Sequence, residues 1–288
     1  MKQVIIPPLH RLQFEGLLRR ALSEDLGRGG DLTTDSIFSP VDVVSARIVS
    51  RADGVVSGIA AAVAVFDLLD GEIESTSMVV DGEKVGADDV LAELRGSART
   101  VLSGERTALN VLGRMSGVAT LTQRYVDAVA GTDARIVCTR KTTPGMRVLE
   151  KYAVRCGGGW NHRFALDDAV LIKDNHLAAA GGVRPAIERV RQSVGHTVKV
   201  ELEVDSLDQL SDALEVGVDA VLLDNMTADE LRRAVTMIDG RAVSEASGGI
   251  TLDNVAEIAA TGVDLISVGA ITHSAPSMDV SLDVDPGV

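Results

Sequence analysis

The chain has 288 residues, room for two domains at ~150 residues each or for one α/β barrel with an appendage, and enough to bury a sizeable core. Its 42 acidic residues outnumber 28 basic ones and give a formal charge of −14, which argues against a general nucleic-acid binder held by phosphate contacts. Seven aromatic side chains are too few for base stacking, two cysteines (Cys138 and Cys156) without a CxxC pair suit a reducing compartment, and no stretch approaches the ~20 apolar residues of a membrane helix. The opening MKQVIIPPLH has no apolar signal-peptide core, so a cytoplasmic location is expected.

In chain order, ARIVSRADGVVSG predicts two strands around a turn, IAAAVAVFDLLDG a helix ending at Gly71, and IESTSMVVDGEKVGADDVLAELRG strands with an Asp-Gly turn. Ser103 is expected to cap a helix that carries Glu105 in its first turn and runs to Gly131, with Gly113 and Gly117 weakening its middle. A domain boundary is expected near Met115, beside that helix.

The second half repeats one pattern. Short apolar runs end at Arg140, Lys173, Glu203, Asp224, Ser247 and Gly269, spaced 33, 30, 21, 23 and 22 residues apart. Helix-like segments lie between them, with Ser206, Thr227 and Thr251 as expected caps. A parallel crossover needs at least about a dozen residues, so these spacings predict βα units and a barrel with fewer than eight strands.

The charge balance reverses locally. Between Arg135 and Lys173 there are eight basic residues and three acidic ones, a local +5 around the glycine-rich CGGGWNHR. A solvated helix face would interleave its acids more evenly, so this run reads as a region that binds an anion.

In such barrels the strand carboxyl ends carry the chemistry. Here that ring supplies cations at Arg140, Lys141 and Lys173, carboxylates at Glu203 and Asp224, and small residues at Ser247, Gly248, Gly249 and Gly269, whose amides can approach a phosphate. The division suits a carboxylate- or phosphate-bearing substrate and an oxygen-bound Mg²⁺. Each member has a plainer reading: Arg140 and Lys141 as strand caps, Asp224 as a helix cap, the glycines as turns. Glu201 shares a face with Glu203, so alternation leaves open which of them meets the ligand. Thr227 is the better cap for its helix, which frees Asp224. His162 and Arg163 follow the glycine run as candidate anion ligands, and Arg106 lies early in the long helix, where its plain reading is a surface ion pair.

The strings EDLGRGGDLTTDS, SGERTALNVLGRMSGVAT, TRKTTPGMRVLEKYAVRCGGGWNHRFALDDAVLIKDNH, VELEVDSLDQL, VLLDN, EASGGI and ISVGAITHS resemble the quinolinate phosphoribosyltransferase family over nearly the whole chain, with no departure at the positions that matter. The resemblance implies an α/β protein: a sandwich-like N-terminal domain over residues 1–115, completed by about 275–288, and a C-terminal barrel of about six parallel strands over 116–274. It implies a homodimer with shared active sites, the N-terminal domain of one subunit covering the barrel mouth of the other.

The activity so implied is transfer of phosphoribosyl from phosphoribosyl pyrophosphate to quinolinate with decarboxylation, giving nicotinate mononucleotide, pyrophosphate and carbon dioxide in de novo NAD synthesis. By resemblance Arg140, His162, Arg163 and Lys173 hold the two carboxylates, with Arg106 reaching in from the neighbouring subunit. Thr139 and Lys141 contact phosphoribosyl pyrophosphate; Glu203 and Asp224 face its ribose and hold Mg²⁺, directly or through water. Ser247, Gly248 and Gly249, with Val268, Gly269 and Ala270, cradle the 5′-phosphate. Lys141, Lys173, Glu203 and Asp224 form the expected catalytic set, the spacing to VLLDN favouring Glu203 over Glu201. A related pyrophosphorylase acting on another substrate would alter the carboxylate-binding set. A Schiff-base aldolase would use Lys173 as nucleophile, and an inert binding barrel would have no need of the whole ring.

Overall fold

The structure, a computed structural model, describes residues 6–69 and 71–285. A 3-10 turn at Arg11–Gln13 leads into α1 (Glu15–Leu26), α2 (Leu32–Ile37), β1 (Val43–Ser50), β2 (Gly54–Val55), α3 (Ile59–Leu69), β3 (Glu74–Ser77), β4 (Lys84–Val85), β5 (Val90–Ser97) and the long α4 (Ala98–Ala128). β6 (Arg135–Val137) and α5 (Arg147–Cys156) precede a regular alternation of β7 (Val170–Ile172), α6 (Asp174–Ala180), α7 (Val183–Ser193), β8 (Val200–Val204), α8 (Leu207–Val216) and β9 (Ala220–Asp224). It continues through α9 (Ala228–Ile238), β10 (Val243–Ser247), α10 (Val255–Ala259), β11 (Leu265–Ser267) and α11 (Ala270–His273) to β12 (Val280–Val284).

Two compact units result. The first takes the described residues of Met1–Gln123, Thr142–Gly158 and Ile271–Val288; the second takes Arg124–Lys141 and Gly159–Ala270. In the first, an antiparallel sheet of order β12-β1-β5-β3 carries buried Ala46, Ile48, Leu91 and Leu94. α3 buries its small-residue face, Ala61, Ala62, Val65 and Phe66 among it. The C-terminal strand pairs Ala46 with Val284; of the segment 275–288 expected to complete this domain, residues 286–288 lie outside the described residues.

α4 begins at Ala98, five residues before the expected cap. Ser103 is therefore inside the helix, where its hydroxyl donates to Asp31 Oδ2 at 2.9 Å. Asp31 is itself the N-cap of α2, accepting from Thr34 N–H. Two glycines of α4, Gly113 and Gly117, form a notch. A Cβ at Gly117 would stand 2.0 Å from the Pro276 carbonyl oxygen and one at Gly113 2.8 Å from that of Met278, whose N–H donates back to Gly113 O at 2.9 Å.

In the second unit six parallel strands run in the order β6-β11-β10-β9-β8-β7. That is chain order with the first strand carried round to pair with the last, which is what a ring of βα units produces. The remaining seam lies between β6 and β7, where Trp160 forms a parallel bridge to Val137. Buried Ile136, Ile172, Leu202, Val221, Leu223 and Ile266 make the strands apolar, as a parallel sheet covered by helices requires. Ser206 caps α8 through Gln209 N–H, and Thr227 with Glu230 forms a capping box on α9. Thr251 does not cap: its N–H instead donates to Asn254 Oδ1, a turn intervenes, and α10 starts at Val255. β6 and β11 are also shorter than expected, so Arg140 and Gly269 sit on the loops beyond them.

Candidate functional site

The strand register sorts the site into rows. Glu203 of β8 and Glu245 of β10 both lie opposite Leu222 of β9, and one row nearer the carboxyl ends Asp224 lies opposite Ser247. Laterally paired residues of a parallel sheet point the same way, so Glu203, Glu245, Asp224 and Ser247 share one face, and Glu201, two residues before Glu203, shares it too.

The two glutamates of β8 are then separated by their partners. Glu203 is ion-paired with Lys173 Nζ, at the end of β7. Glu201 is buried, and its Oε2 lies 2.9 Å from His162 Nε2. The other ring nitrogen of His162, Nδ1, accepts the Arg163 N–H at 2.8 Å. With Nδ1 an acceptor, the ring proton sits on Nε2 and points at Glu201. A third group approaches from β10: Glu245 Oε1, 1% exposed as a residue, is 3.6 Å from the same Nε2. Burial, followed by the neighbouring Glu201 carboxylate, pushes the Glu245 acid up to about 7, against a smaller lowering by His162.

His162, Glu201 and Glu245 place one ligand atom each within 4.8 Å of one another, a grouping that could hold a metal ion on distance alone. The hydrogen bonds argue otherwise. Nε2 carries a proton and has no lone pair to offer a cation. The cluster instead holds the imidazole between Glu201 and the Arg163 backbone N–H.

Arg163, next in the chain, brings in the cations. Burial, then the neighbouring charge of Arg140, lower the affinity of the Arg163 guanidinium for its proton, while Glu201 and Asp168 work in the opposite sense. Arg163 Nη1 donates to the Ala169 carbonyl at 3.0 Å, and Asp168 accepts the Phe164 N–H at 2.7 Å, which shapes the loop into β7. Two guanidinium groups brought near each other repel until an anion joins them, and Arg's planar fork matches a carboxylate. Thr139 and Lys141 adjoin this pair: Thr139 Oγ1 accepts the Lys141 N–H at 3.0 Å, and the Lys141 side chain is exposed.

At the other end of the row, Asp224 Oδ2 accepts from Asn225 Nδ2 at 2.6 Å. Gly248 and Gly249 have φ of +89° and +60°, left-handed conformations that favour glycine. Val268 is buried, so the Val268, Gly269 and Ala270 turn offers a ligand its backbone. Glu203 and Asp224 supply hard carboxylate oxygens from adjacent strands, a donor set that fits Mg²⁺.

Arg106 belongs to the first unit, on α4, with its side chain 64% exposed and Glu105 3.8 Å away. It borders a cleft of about 270 Å³ together with Asn110, Gly113, Met278 and Asp279. The loop after Lys141 is held within that unit too. Glu150 is fully buried and accepts from Thr143 N–H and Oγ1 and from Arg114 Nε and Nη2, at 2.7–3.0 Å.

Sequence reasoning missed Glu245, Asn225 and the Arg114–Glu150 pair. A glutamate among the small residues of EASGG and an asparagine after VLLD were the available signals, because a strand interior has no other use for a carboxylate. Arg114 and Glu150 are 36 residues apart, and no local pattern announces such a pair.

The sequence and fold have close counterparts among known proteins. Residues 31–116 match the model of the quinolinate phosphoribosyl transferase N-terminal domain, and residues 118–283 that of its C-terminal domain. A Mycobacterium leprae protein named carboxylating nicotinate-nucleotide pyrophosphorylase is 44% identical over 272 residues, 93% of this chain and 95% of that one. A Nicotiana tabacum protein named decarboxylating quinolinate phosphoribosyltransferase 1b is 39% identical over 302 residues, 98% of this chain and 85% of that one. The crystal structure of NadC from Streptococcus pyogenes superposes with a TM-score of 0.93 at 38% identity, covering 97% of this chain and all of that one. Among the described residues no helix is long and apolar enough to cross a membrane.

Proposed function

The chain belongs to the quinolinate phosphoribosyltransferase family, and from that premise we propose how its strand-end residues divide the work. The reaction joins quinolinate to phosphoribosyl pyrophosphate with loss of carbon dioxide, a pentosyl transfer of NAD biosynthesis. The observation that carries the assignment is the row at successive strand ends, Lys173 ion-paired with Glu203, then Asp224 opposite Ser247 and the Gly248–Gly249 turn.

Arg140, Arg163 and Lys173 receive the two carboxylates of quinolinate, with His162 seated against Arg163. Lys173 is ion-paired with Glu203 until substrate arrives. That pairing disfavours the aldolase reading, because a Schiff-base nucleophile attacks as the free amine. Thr139 and Lys141 contact the pyrophosphoryl side, while the turns at Ser247, Gly248 and Gly249 and at Val268, Gly269 and Ala270 receive the 5′-phosphate. Glu203 and Asp224 face the ribose and would hold Mg²⁺, which when bound neutralises charge developing on the leaving pyrophosphate.

The pyridine nitrogen displaces pyrophosphate at the anomeric carbon, and the ribose gains oxocarbenium character that the Glu203 and Asp224 carboxylates stabilise. The nitrogen then bears a positive charge. The bond from the adjacent ring carbon to its carboxylate breaks, the electron pair remains on that carbon beside N⁺, and a proton is taken up there. The substrate is its own electron sink, so these side chains need only position two anionic molecules. Arg106 of the partner subunit completes the carboxylate site in a homodimer, and the buried thiols of Cys138 and Cys156, neither in a disulfide, suit a cytoplasmic setting.

The test is an assay of the purified chain with quinolinate, phosphoribosyl pyrophosphate and Mg²⁺, following nicotinate mononucleotide and carbon dioxide. Product from quinolinate and none from nicotinate is expected, since nicotinate lacks the second carboxylate. Turnover of nicotinate at a comparable rate would overturn the assigned role of the cation set.

A further inference from the structure

Asn225 is one of three described non-glycine residues with positive φ, at +55°, directly after Asp224. Asparagine tolerates this region, and the conformation is not needed to start the next helix, which is capped independently by Thr227. The conformation instead sends the residue in three directions. Its N–H donates to Ser247 O at 2.8 Å, which joins the ends of β9 and β10. Its Nδ2 donates to Asp224 Oδ2 at 2.6 Å. Its Oδ1 lies against Gly248, where a Cβ would stand only 2.2 Å from it.

The glycine turn is held from the far side by a second asparagine. Asn254 Nδ2 donates to Gly249 O at 2.9 Å, while its Oδ1 accepts the Thr251 N–H. The turn is thus clamped between two carboxamides, and the one from Asn225 is also bonded to the carboxylate of the neighbouring strand.

We propose that Asn225 is a positioning residue that fixes the Asp224 carboxylate and the Gly248 turn as one assembly, setting the span between the ribose and 5′-phosphate contacts of phosphoribosyl pyrophosphate. The proposal rests on the reading that Asp224 and the Ser247, Gly248 and Gly249 turn face that substrate. By occupying Oδ2, the carboxamide orients the carboxylate so that its other oxygen meets the ribose side. By filling the space beside Gly248, it keeps the turn's amides at a fixed distance from that oxygen. Groups that orient a ligand in this way do not touch the reacting atoms, yet their loss carries into the chemistry.

Two substitutions separate the side chain from the backbone. Asn225→Gly accepts φ +55° without strain and removes only the carboxamide. Asn225→Asp keeps the shape and the tolerance of that conformation but turns an acceptor toward Asp224. Both proteins are expected to keep the parent's melting temperature within a few degrees and its KM for quinolinate. Both are expected to lose about 10–100-fold in kcat/KM for phosphoribosyl pyrophosphate. A purely structural asparagine would give the opposite result, with Asn225→Gly neutral in both substrates. Asp224→Asn, measured alongside, keeps two failures apart. If Asp224→Asn impairs use of phosphoribosyl pyrophosphate while Asn225→Gly stays within about twofold of the parent, the site reading stands and the positioning role falls. If Asp224→Asn also leaves those kinetics unchanged, the reading falls and takes the proposal with it.

Discussion

Glu245 shows how much one side chain can cost a fold that needs it in place. Its acid is pushed up to about 7 by burial and by the Glu201 carboxylate, against an ordinary 4.5. The unfolded chain therefore sheds this proton as pH rises through 4.5, while the folded chain keeps it until about 7. Over that window the native state binds more protons, so stability falls as pH rises, by at most about 1.4 kcal/mol per pH unit, and levels off above it. Glu245→Gln cannot ionise and should lack this contribution. Urea midpoints at pH 5, 6 and 7.5 at one protein concentration should show the variant gaining on the parent as pH increases. A constant difference across the three values would mean that the carboxyl does not titrate between the two states.

At the scale of elements, the notch in α4 sets two known effects against each other. Replacing a helical glycine by alanine gains roughly 1 kcal/mol of helix propensity. At Gly117 the new Cβ would stand 2.0 Å from the Pro276 carbonyl oxygen, a backbone atom that cannot rotate away. Forcing such a contact costs about 1–3 kcal/mol or more, so the clash should win and Gly117→Ala should be destabilised. The same change should speed amide exchange in β12, which follows the displaced segment; a variant as stable as the parent, with β12 protected, would show that the segment can shift without loss.

This notch also marks where sequence reading stopped. Helical periodicity and apolar runs revealed the βα units, since both follow from local spacing, and they placed Lys173, Glu203, Asp224 and Ser247 near strand ends. Gly113 and Gly117 were legible only as weak helix formers, because their use depends on the segment at Pro276 and Met278, more than 150 residues later. Ser103 misled for a related reason: its hydroxyl partner, Asp31, is 72 residues away. The strand-end ring was legible because parallel βα topology turns regular spacing into adjacency. Asn225 and Glu245 were not, because their roles depend on contacts across strands.

At the scale of the whole molecule, the question is what Arg106 serves. An exposed pair with the adjacent Glu105 is worth little to stability, so the described residues give this arginine no strong structural use. If it completes the carboxylate site of the partner subunit, Arg106→Ala and Lys173→Ala should each abolish most activity for different reasons. Mixed under conditions of subunit exchange, they form hybrid dimers in which one site has both mutations and the other has neither. Random exchange makes half the dimers hybrid, each with one intact site of two, so about a quarter of parental activity should return. Differently tagged subunits would verify exchange by co-purification. Recovery near that fraction requires residues from two chains in one site; co-purification without recovery would place Arg106 and Lys173 in the same chain's site and end the shared-site reading.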